Sequence, residues 1–398
     1  MKKVLISTFD LEVGGVERSL LSLLNHFDYE SYEVDLMLYK QQGDFLQQLS
    51  HKPTLLEEVP EYATFRQTIS DTLKQRYFHI GLARLMAKSM ASYAGRKKRL
   101  EEPGYYQMQL MWKLSLPYLP DLGRTYDVAI SYLWPHYFVA DKVKAKKKIA
   151  WIHTDYSTID TNTRMDLKMW KNFDHIIAVS EACKTSFIKK YPELSGKVII
   201  MENITSPDLV NTLADHEEAQ EMKNDPRTKL LTIARLCHQK GIDNAIKAMK
   251  RLRDKGYENV AWYVVGYGGD RGELEKLIRH HGLQDSFYLL GKKTNPYPYL
   301  RACDIYVQPS RYEGKAVTVL EAQIMGKPVL ITNYATANSQ LKHGIDGYIT
   351  DQGVDGIVQG VEELLSNHTL CNELIKNTKK RSYRNQSEIK TLYQLINQ

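Results

Sequence analysis

The chain has 398 residues, 43% of them hydrophobic and 25% charged, with a formal net charge of +7. It is too long for one ordinary domain and suits two of about 200 residues each, with the composition of a soluble globular protein. Cys183, Cys237, Cys303 and Cys371 show neither metal-ligand nor CxxC spacing, and no uninterrupted apolar stretch reaches about 20 residues, so no zinc site, disulfide framework or transmembrane span is suggested. Scattered cysteines and an N-terminus, MKKVLISTFD, too short in apolar residues for a signal peptide place the chain in a reducing cytosol, free to lie against a membrane. The positive charge fits a solvated surface, or a phosphate-rich partner such as a nucleotide, an anionic lipid or a nucleic acid.

Lys3 to Phe9 reads as a buried strand. It leads through Gly14 and Gly15 into a helix whose apolar face is Val16, Leu20, Leu23, Leu24 and Phe27. A glycine pair there lets a ligand approach the helix start, but it serves a ligand-free tight turn equally well. YEVDLMLYK completes a βαβ unit. Residues 61–122 then break the pattern with a helical insertion rich in cations and aromatics: Phe65, Arg66, Arg76, Tyr77, Phe78, Arg84, Lys88 and Tyr93, the run Arg96, Lys97, Lys98 and Arg99, and then Tyr105, Tyr106, Met108, Met111, Trp112 and Leu116. It is either a helical insertion with a solvated basic face or a surface that docks on anionic headgroups, and we favour the second. Lys142, Lys144, Lys146, Lys147 and Lys148 either enlarge that patch or merely flank the next strand.

Asp127–Trp134 and Lys147–Asp155 read as strands. His153 falls where the second ends, at the edge where parallel sheets collect ligands, so it can bond a sugar hydroxyl or a phosphate oxygen; Asp155 is the other candidate, and a structural histidine the alternative. HIIAVSE and KVIIMEN supply two more strands around a helix that starts at Glu181 and ends before Pro192. Residues 204–228 read as a linker with a short helix.

A second α/β pattern follows. KLLTIARL reads as a strand with Arg235 at its end, and Lys240 and Gly241 follow in the loop before the next helix. Two cations around a strand-to-helix turn make a diphosphate clamp, or else surface salt bridges. A further strand-to-helix turn carries Gly266, Gly268 and Gly269. The most informative stretch is RYEGKAVTVLEAQIMGKPVLIT, Arg311 to Thr332. It follows the apolar strand DIYVQPS, puts Glu313 in a loop and Glu321 about two turns into a helix, and ends on another strand. Carboxylates accept hydroxyl hydrogens while a helix start and cations hold phosphates, which suits a nucleotide sugar.

On GGVERSL, VSEACK, ARLCHQKG, VVGYGGDRGELEKL and above all YEGKAVTVLEAQIMGKPVLIT, the chain resembles the retaining GT-B glycosyltransferases of the family 4 type (glycosyl transferases group 1), which include many bacterial polysaccharide and cell-wall enzymes. The resemblance implies an α/β, GT-B fold of two Rossmann-like domains facing across a cleft. Their expected limits are 1–205, with the insertion at about 61–122, and 206–380, with a C-terminal helix in 381–398, about Asn385 to Gln398, returning to the first domain. It also implies roles. Arg235 and Lys240 hold the donor diphosphate, and Glu321 binds the ribose. Glu313 faces the transferred sugar with the N–H groups of Gly314, Lys315 and Ala316 nearby, His153 contacts the sugar, Gly15 lets the acceptor and the donor phosphates approach, and Gly266 is a donor-binding position. Lys315 departs from the large apolar residue usual after Glu-Gly, and Ala234 from the usual glycine before the arginine.

The function implied is transfer of a sugar from a UDP-sugar to a hydroxyl of a lipid-linked or cell-wall saccharide in bacterial surface polysaccharide synthesis. It would take place in the cytoplasm or at the inner face of the cell membrane, without a cofactor; no metal is expected, because no DxD-type acidic pair stands at a strand end. A GT-B UDP-sugar epimerase and a non-catalytic GT-B partner subunit are the alternatives. A nucleic-acid-binding module has only the net charge behind it, without an RNA-recognition or zinc-finger signature, so no nucleic-acid partner is expected.

Overall fold

A computed structural model describes residues 1–98 and 103–398. The chain divides into two compact units, the first made of Met1–Glu12, Val16–Ile204 and Ser387–Gln398, the second of Val13–Gly15 and Thr205–Gln386.

The first unit opens with β1 (Lys2–Thr8), α1 (Gly15–Asn25), β2 (Tyr32–Leu38) and β3 (Thr54–Leu55). The helical insertion follows, carrying α2 (Phe78–Lys98) and α3 (Pro103–Ser115). Then come β4 (Thr125–Ser131), β5 (Lys144–Ile152), α4 (Thr163–Trp170), β6 (His175–Ala178), α5 (Glu181–Lys190) and β7 (Val198–Ile200). The strands form a seven-stranded sheet in the order β3-β2-β1-β4-β5-β6-β7, every pair parallel. Strands covered on both faces need no alternation, which is why Val4, Leu5 and Ile6 form an unbroken buried run.

The insertion is helical, and several of its aromatics and one of its cations, Arg84, point inward. Ala87 and Ala91 of α2 share a buried cluster with Tyr106 and Leu110 of α3; their small side chains let the two helices approach. Trp112 is fully buried, with Phe65 stacked on it at 4.2 Å between ring centroids, and Leu116 is buried too. Arg84 is buried and donates to the carbonyls of Thr64 (2.5 Å) and Gln67 (2.7 Å) and to Thr72 Oγ1 (2.8 Å). Arg66 pairs with Asp10 at 2.7 Å. These residues build the insertion and do not form a docking face. The Lys98 side chain and Arg99 lie outside the described residues. The later cations are also structural: Lys142 lies 3.5 Å from Asp121, Lys146 pairs with Asp127 at 2.7 Å, and Lys147 and Lys148 donate to the carbonyls of Leu395 and Ala140. Lys146, Lys147 and Lys148 lie within the first half of β5, and Lys142 just before it, so these contacts tie down the strand.

In the second unit β8 (Thr228–Ile233), α6 (Ile242–Asp254), β9 (Val260–Val265), α7 (Arg271–His280) and β10 (Phe287–Gly291) form one half. The other half comprises β11 (Ile305–Gln308), α8 (Val317–Ile324), β12 (Val329–Thr332), β13 (Tyr348–Thr350), α9 (Gly353–Ser366) and α10 (His368–Lys380). The six-stranded sheet runs β10-β9-β8-β11-β12-β13, again parallel throughout. Successive side chains point to opposite faces, so Leu230, Trp262 and Val264 join one apolar layer with Ile246 and Met249, and Leu231, Tyr263 and Val265 join the other with Leu300 and Val319.

Residues 204–228 are not a linker. They hold two helices, Pro207–Asp215 and Gln220–Lys223, whose Val210, Ala214 and Met222 enter the second unit's apolar layer. Pro207 sits at a helix start, where its missing N–H costs nothing, and Ser206 caps the Leu209 N–H. At the chain end, α11 (Ile389–Asn397) belongs to the first unit. There Tyr393 stacks on Tyr32 at 5.2 Å, and Lys2 and Lys147 bond the carbonyls of Ile396 and Leu395, cations placed where a helix C-terminus favours them.

Candidate functional site

In an open parallel sheet, ligands bind where the strand order reverses. In the second unit that point lies between β8 and β11, whose carboxyl ends feed the loops carrying Arg235 and Lys240, and Glu313. The loops are brought together closely. Gly241 has φ +65° and begins α6; a Cβ there would stand 2.0 Å from the Pro309 carbonyl oxygen. Gly266, at the end of β9, would place a Cβ 1.8 Å from the Ala234 carbonyl oxygen. Both glycines are therefore required by backbone contact, and Gly266 needs no donor to explain it.

Lys240 reaches across to Glu313, its Nζ lying 2.6 Å from Oε1 and 2.8 Å from Oε2. Glu313 is 5% exposed, and its Oε1 accepts two further hydrogen bonds, from Ser310 Oγ (2.6 Å) and Gln308 Nε2 (3.0 Å). The Tyr306 hydroxyl, which burial makes a still weaker acid than usual, lies 2.5 Å from Gln308 Oε1 and so fixes the amide that faces Glu313. The Glu313 carbonyl accepts from Thr336 Oγ1 at 2.9 Å. Glu313 is thus held by its backbone and both carboxylate oxygens, with Lys240 as its principal partner.

A second clip ties the same loops. Arg311 donates to both oxygens of Asp243 at 2.8 Å and to the His238 carbonyl at 2.6 Å. Burial raises the Asp243 pKa, but Arg311 outweighs it and leaves the carboxyl more acidic than usual. Arg235 is exposed, with Nη2 3.5 Å from Gln239 Oε1, while Gln239 Nε2 donates to the Tyr312 carbonyl at 3.0 Å.

Beyond Glu313, Gly314 is buried and Lys315 partly exposed. The Ala316 N–H, expected beside the transferred sugar, is instead taken by Gln340 Oε1 at 2.7 Å, and Gln340 Nε2 returns a bond to the Ala316 carbonyl at 3.1 Å. The N-cap residue of α8 is Ala316, which has no side-chain oxygen to cap the helix. Glu321 lies about one turn along it, not two, because the helix starts only at Val317; it is 1% exposed and accepts from the Tyr297 hydroxyl at 2.8 Å. Gln308, Ser310, Tyr297 and Gln340 escape a reading of the sequence because they are ordinary polar residues without spacing that marks them.

In the first unit His153 stands just beyond β5, its ring 4.7 Å from Tyr132 between centroids. Burial pushes its pKa down to about 3, with a hydrogen bond to the Tyr132 backbone working the other way, so it is neutral at working pH. Its Nε2 is buried and has no partner among the described residues. With the other ring nitrogen donating to a carbonyl, Nε2 carries the lone pair; it suits a hydroxyl hydrogen and not a phosphate oxygen. Asp155 is buried, and its Oδ1 accepts from the Ser157 N–H and hydroxyl at 2.9 and 2.7 Å, which makes it a turn-former. Gly15 opens α1, and Val13–Gly15 group with the second unit. Among the described residues no group of three His, Cys, Asp or Glu side chains is placed to hold a metal ion.

Residues 214–381 match the model of the family "Glycosyl transferases group 1". An uncharacterized glycosyltransferase of Methanocaldococcus jannaschii is 26% identical over 252 residues, which is 58% of this chain and 63% of the relative, so the chain covers less than two thirds of that relative's length. Two solved structures share the fold over the full length. Anabaena HepE, in complex with UDP and glucose, superposes with a TM-score of 0.70 at 18% identity, covering 99% of this chain and 100% of that one. A variant of S. aureus TarM, in complex with fondaparinux, alpha-GlcNAc-glycerol and UDP, gives 0.69 at 16%, covering 100% of both. The chain therefore has the GT-B architecture of two Rossmann-like parallel-sheet units.

Proposed function

Because residues 214–381 match the model of the glycosyl transferases group 1 family, we propose that the protein is a retaining glycosyltransferase. It would move a sugar from a UDP-sugar to a hydroxyl of a lipid-linked or cell-wall saccharide in bacterial surface polysaccharide synthesis, at the inner face of the cell membrane. The observation that carries this reading is the Lys240–Glu313 pair at the sheet's reversal point, 2.6 Å apart, with exposed Arg235 on the same loop and the start of α8 next in sequence. The UDP held by both solved neighbours supports the choice of donor.

The chemistry follows from charge. As the bond between the anomeric carbon and phosphate breaks, negative charge builds on the departing diphosphate. A cation fixed in advance stabilises that charge more than it stabilises the bound donor, which is what lowers a barrier. Lys240 is such a cation, because Glu313 holds its ammonium in place. This gives Glu313 a positioning role, where contact with the sugar was expected from the sequence. Arg235 supplies a planar second cation for the phosphates. Glu321, buried and anchored by Tyr297, is suited to accept ribose hydroxyls. The neutral His153, with its lone pair on Nε2, suits a sugar hydroxyl.

A panel of nucleotide sugars, scored for binding and for slow hydrolysis, tests the proposal. UDP release from at least one UDP-sugar is expected, and Lys240→Ala should slow it by about a hundredfold or more. The sugar released or transferred should keep its anomeric configuration by NMR. An isomerised UDP-sugar with no UDP released would establish an epimerase instead. Binding of no nucleotide sugar at all would overturn the reading.

A further inference from the structure

The α2 helix of the insertion has two unlike faces. Ile80, Ala83, Ala87 and Ala91 are buried, together with Arg84. On the opposite side Phe78, Leu82, Leu85, Met86, Met90 and Tyr93 are exposed, from 44% at Leu85 to 69% at Tyr93. At 100° per residue these six fall within one arc and run about 22 Å along the axis. A contiguous exposed stripe of this kind is unlike the single exposed apolar residues common on protein surfaces.

On α2 itself the charges have one sign. No aspartate or glutamate occurs from Phe78 to Lys98. Lys88, Arg96 and Lys97 are exposed on the helix, and Lys74 and Arg76 are exposed just before it. Asp71, the acid nearest the start, lies 3.8 Å from Lys74. An anionic surface takes the cations favourably and the apolar side chains at once.

We infer that α2 lays this face into an anionic lipid surface, parallel to the membrane plane, with its apolar side chains below the headgroups and Lys88, Arg96 and Lys97 among the phosphates. The inference deepens the reading of a lipid-linked acceptor, since a transferase so docked would meet its acceptor in two dimensions.

Flotation of the full chain with phosphatidylcholine vesicles, with and without phosphatidylglycerol, tests it. Binding is expected only with phosphatidylglycerol and should weaken with salt. Leu82→Glu with Met86→Glu should lower partitioning by about tenfold or more, because each charge must enter the interface; Arg96→Gln with Lys97→Gln should lower it by several-fold. Both pairs are exposed, and UDP release without vesicles should match the wild type. Tyr93→Trp should be quenched by brominated lipid. Failure of the wild type to bind phosphatidylglycerol vesicles, or full binding by the Leu82→Glu, Met86→Glu variant, overturns the inference. So does a wild-type dimer that this variant converts to monomer, which would make a second copy the occupant. Vesicle binding without hydrolysis of any nucleotide sugar would instead defeat the catalytic reading and leave this one standing.

Discussion

Neutralising Glu313 should destabilise the second unit as well as impair catalysis. In Glu313→Gln the side chain keeps its size but loses its charge, and Lys240, whose side chain is 14% exposed, is left beside an amide. At 2.6 Å the gross attraction is about 6 kcal/mol for an effective dielectric of about 20. Desolvation of the two groups offsets roughly half, so loss of one partner from this nearly buried pair should cost about 3 kcal/mol. For a unit of this size that lowers the melting temperature by about 6 to 12 °C. Lys240→Met should cost a comparable amount, because Glu313 keeps Gln308 and Ser310 but loses its counter-charge. The double variant removes both charges and should be no less stable than the worse single, giving a coupling energy of about 3 kcal/mol in a double-mutant cycle. Urea unfolding of the four proteins measures it. Additive single effects, or a Glu313→Gln change under about 0.5 kcal/mol, would show that the two groups do not act as a unit, and would return Glu313 to the role of a sugar contact.

Gly241→Ala should cost about 2 kcal/mol or more in urea unfolding, because φ is +65° and the new methyl would meet the Pro309 carbonyl at 2.0 Å. Arg84→Met should cost about 2 to 4 kcal/mol and expose the insertion to limited proteolysis, since the carbonyls of Thr64 and Gln67 lose their buried donor. Acid should weaken the fold through His153, whose pKa is lowered in the folded chain to about 3 from 6.5. Below pH 6.5 the unfolded chain binds a proton there that the folded chain refuses, so stability falls as pH drops from 6.5 towards 3, by up to about 1.4 kcal/mol per unit from this group. His153→Gln should therefore show a shallower loss between pH 6.5 and 5.5 in urea midpoints; an unchanged slope would mean that His153 is protonated in the fold.

The sheets were legible because parallel strands buried on both faces write themselves as continuous apolar runs: Val4-Leu5-Ile6 and Val329-Leu330-Ile331 have no polar interruption and are fully buried. The Glu313-to-Glu321 stretch was legible because a loop carboxylate, a helical repeat and a second strand follow in order. Residues 204–228 misled because a polar surface and two prolines resemble a linker, yet Pro207 starts a helix, and Val210, Ala214 and Met222 suffice to anchor two short helices. The insertion misled in another way. Composition counts aromatics and cations without their direction, and Trp112 and Arg84 point inward while Phe78 and Tyr93 point out.

What the sequence could not show is which group each charge meets. Arg235, Lys240, Glu313 and Glu321 stand out as ionisable residues at strand and helix ends, and the natural assignment gives every one of them to the ligand. In the structure the charges first satisfy each other and their neutral neighbours: Lys240 meets Glu313, Tyr297 meets Glu321, and Gln340 takes the Ala316 N–H. A buried carboxylate needs such donors before any ligand arrives, because leaving it unpaired costs more than the fold can sustain. The same donors then decide where the cation stands. Gln308 and Ser310 fix Glu313, and Glu313 fixes Lys240. It follows that Gln308→Leu should slow UDP release while leaving both Lys240 and Glu313 in place. Unchanged turnover in Gln308→Leu, with Glu313→Gln impaired, would confine the positioning to the charged pair alone.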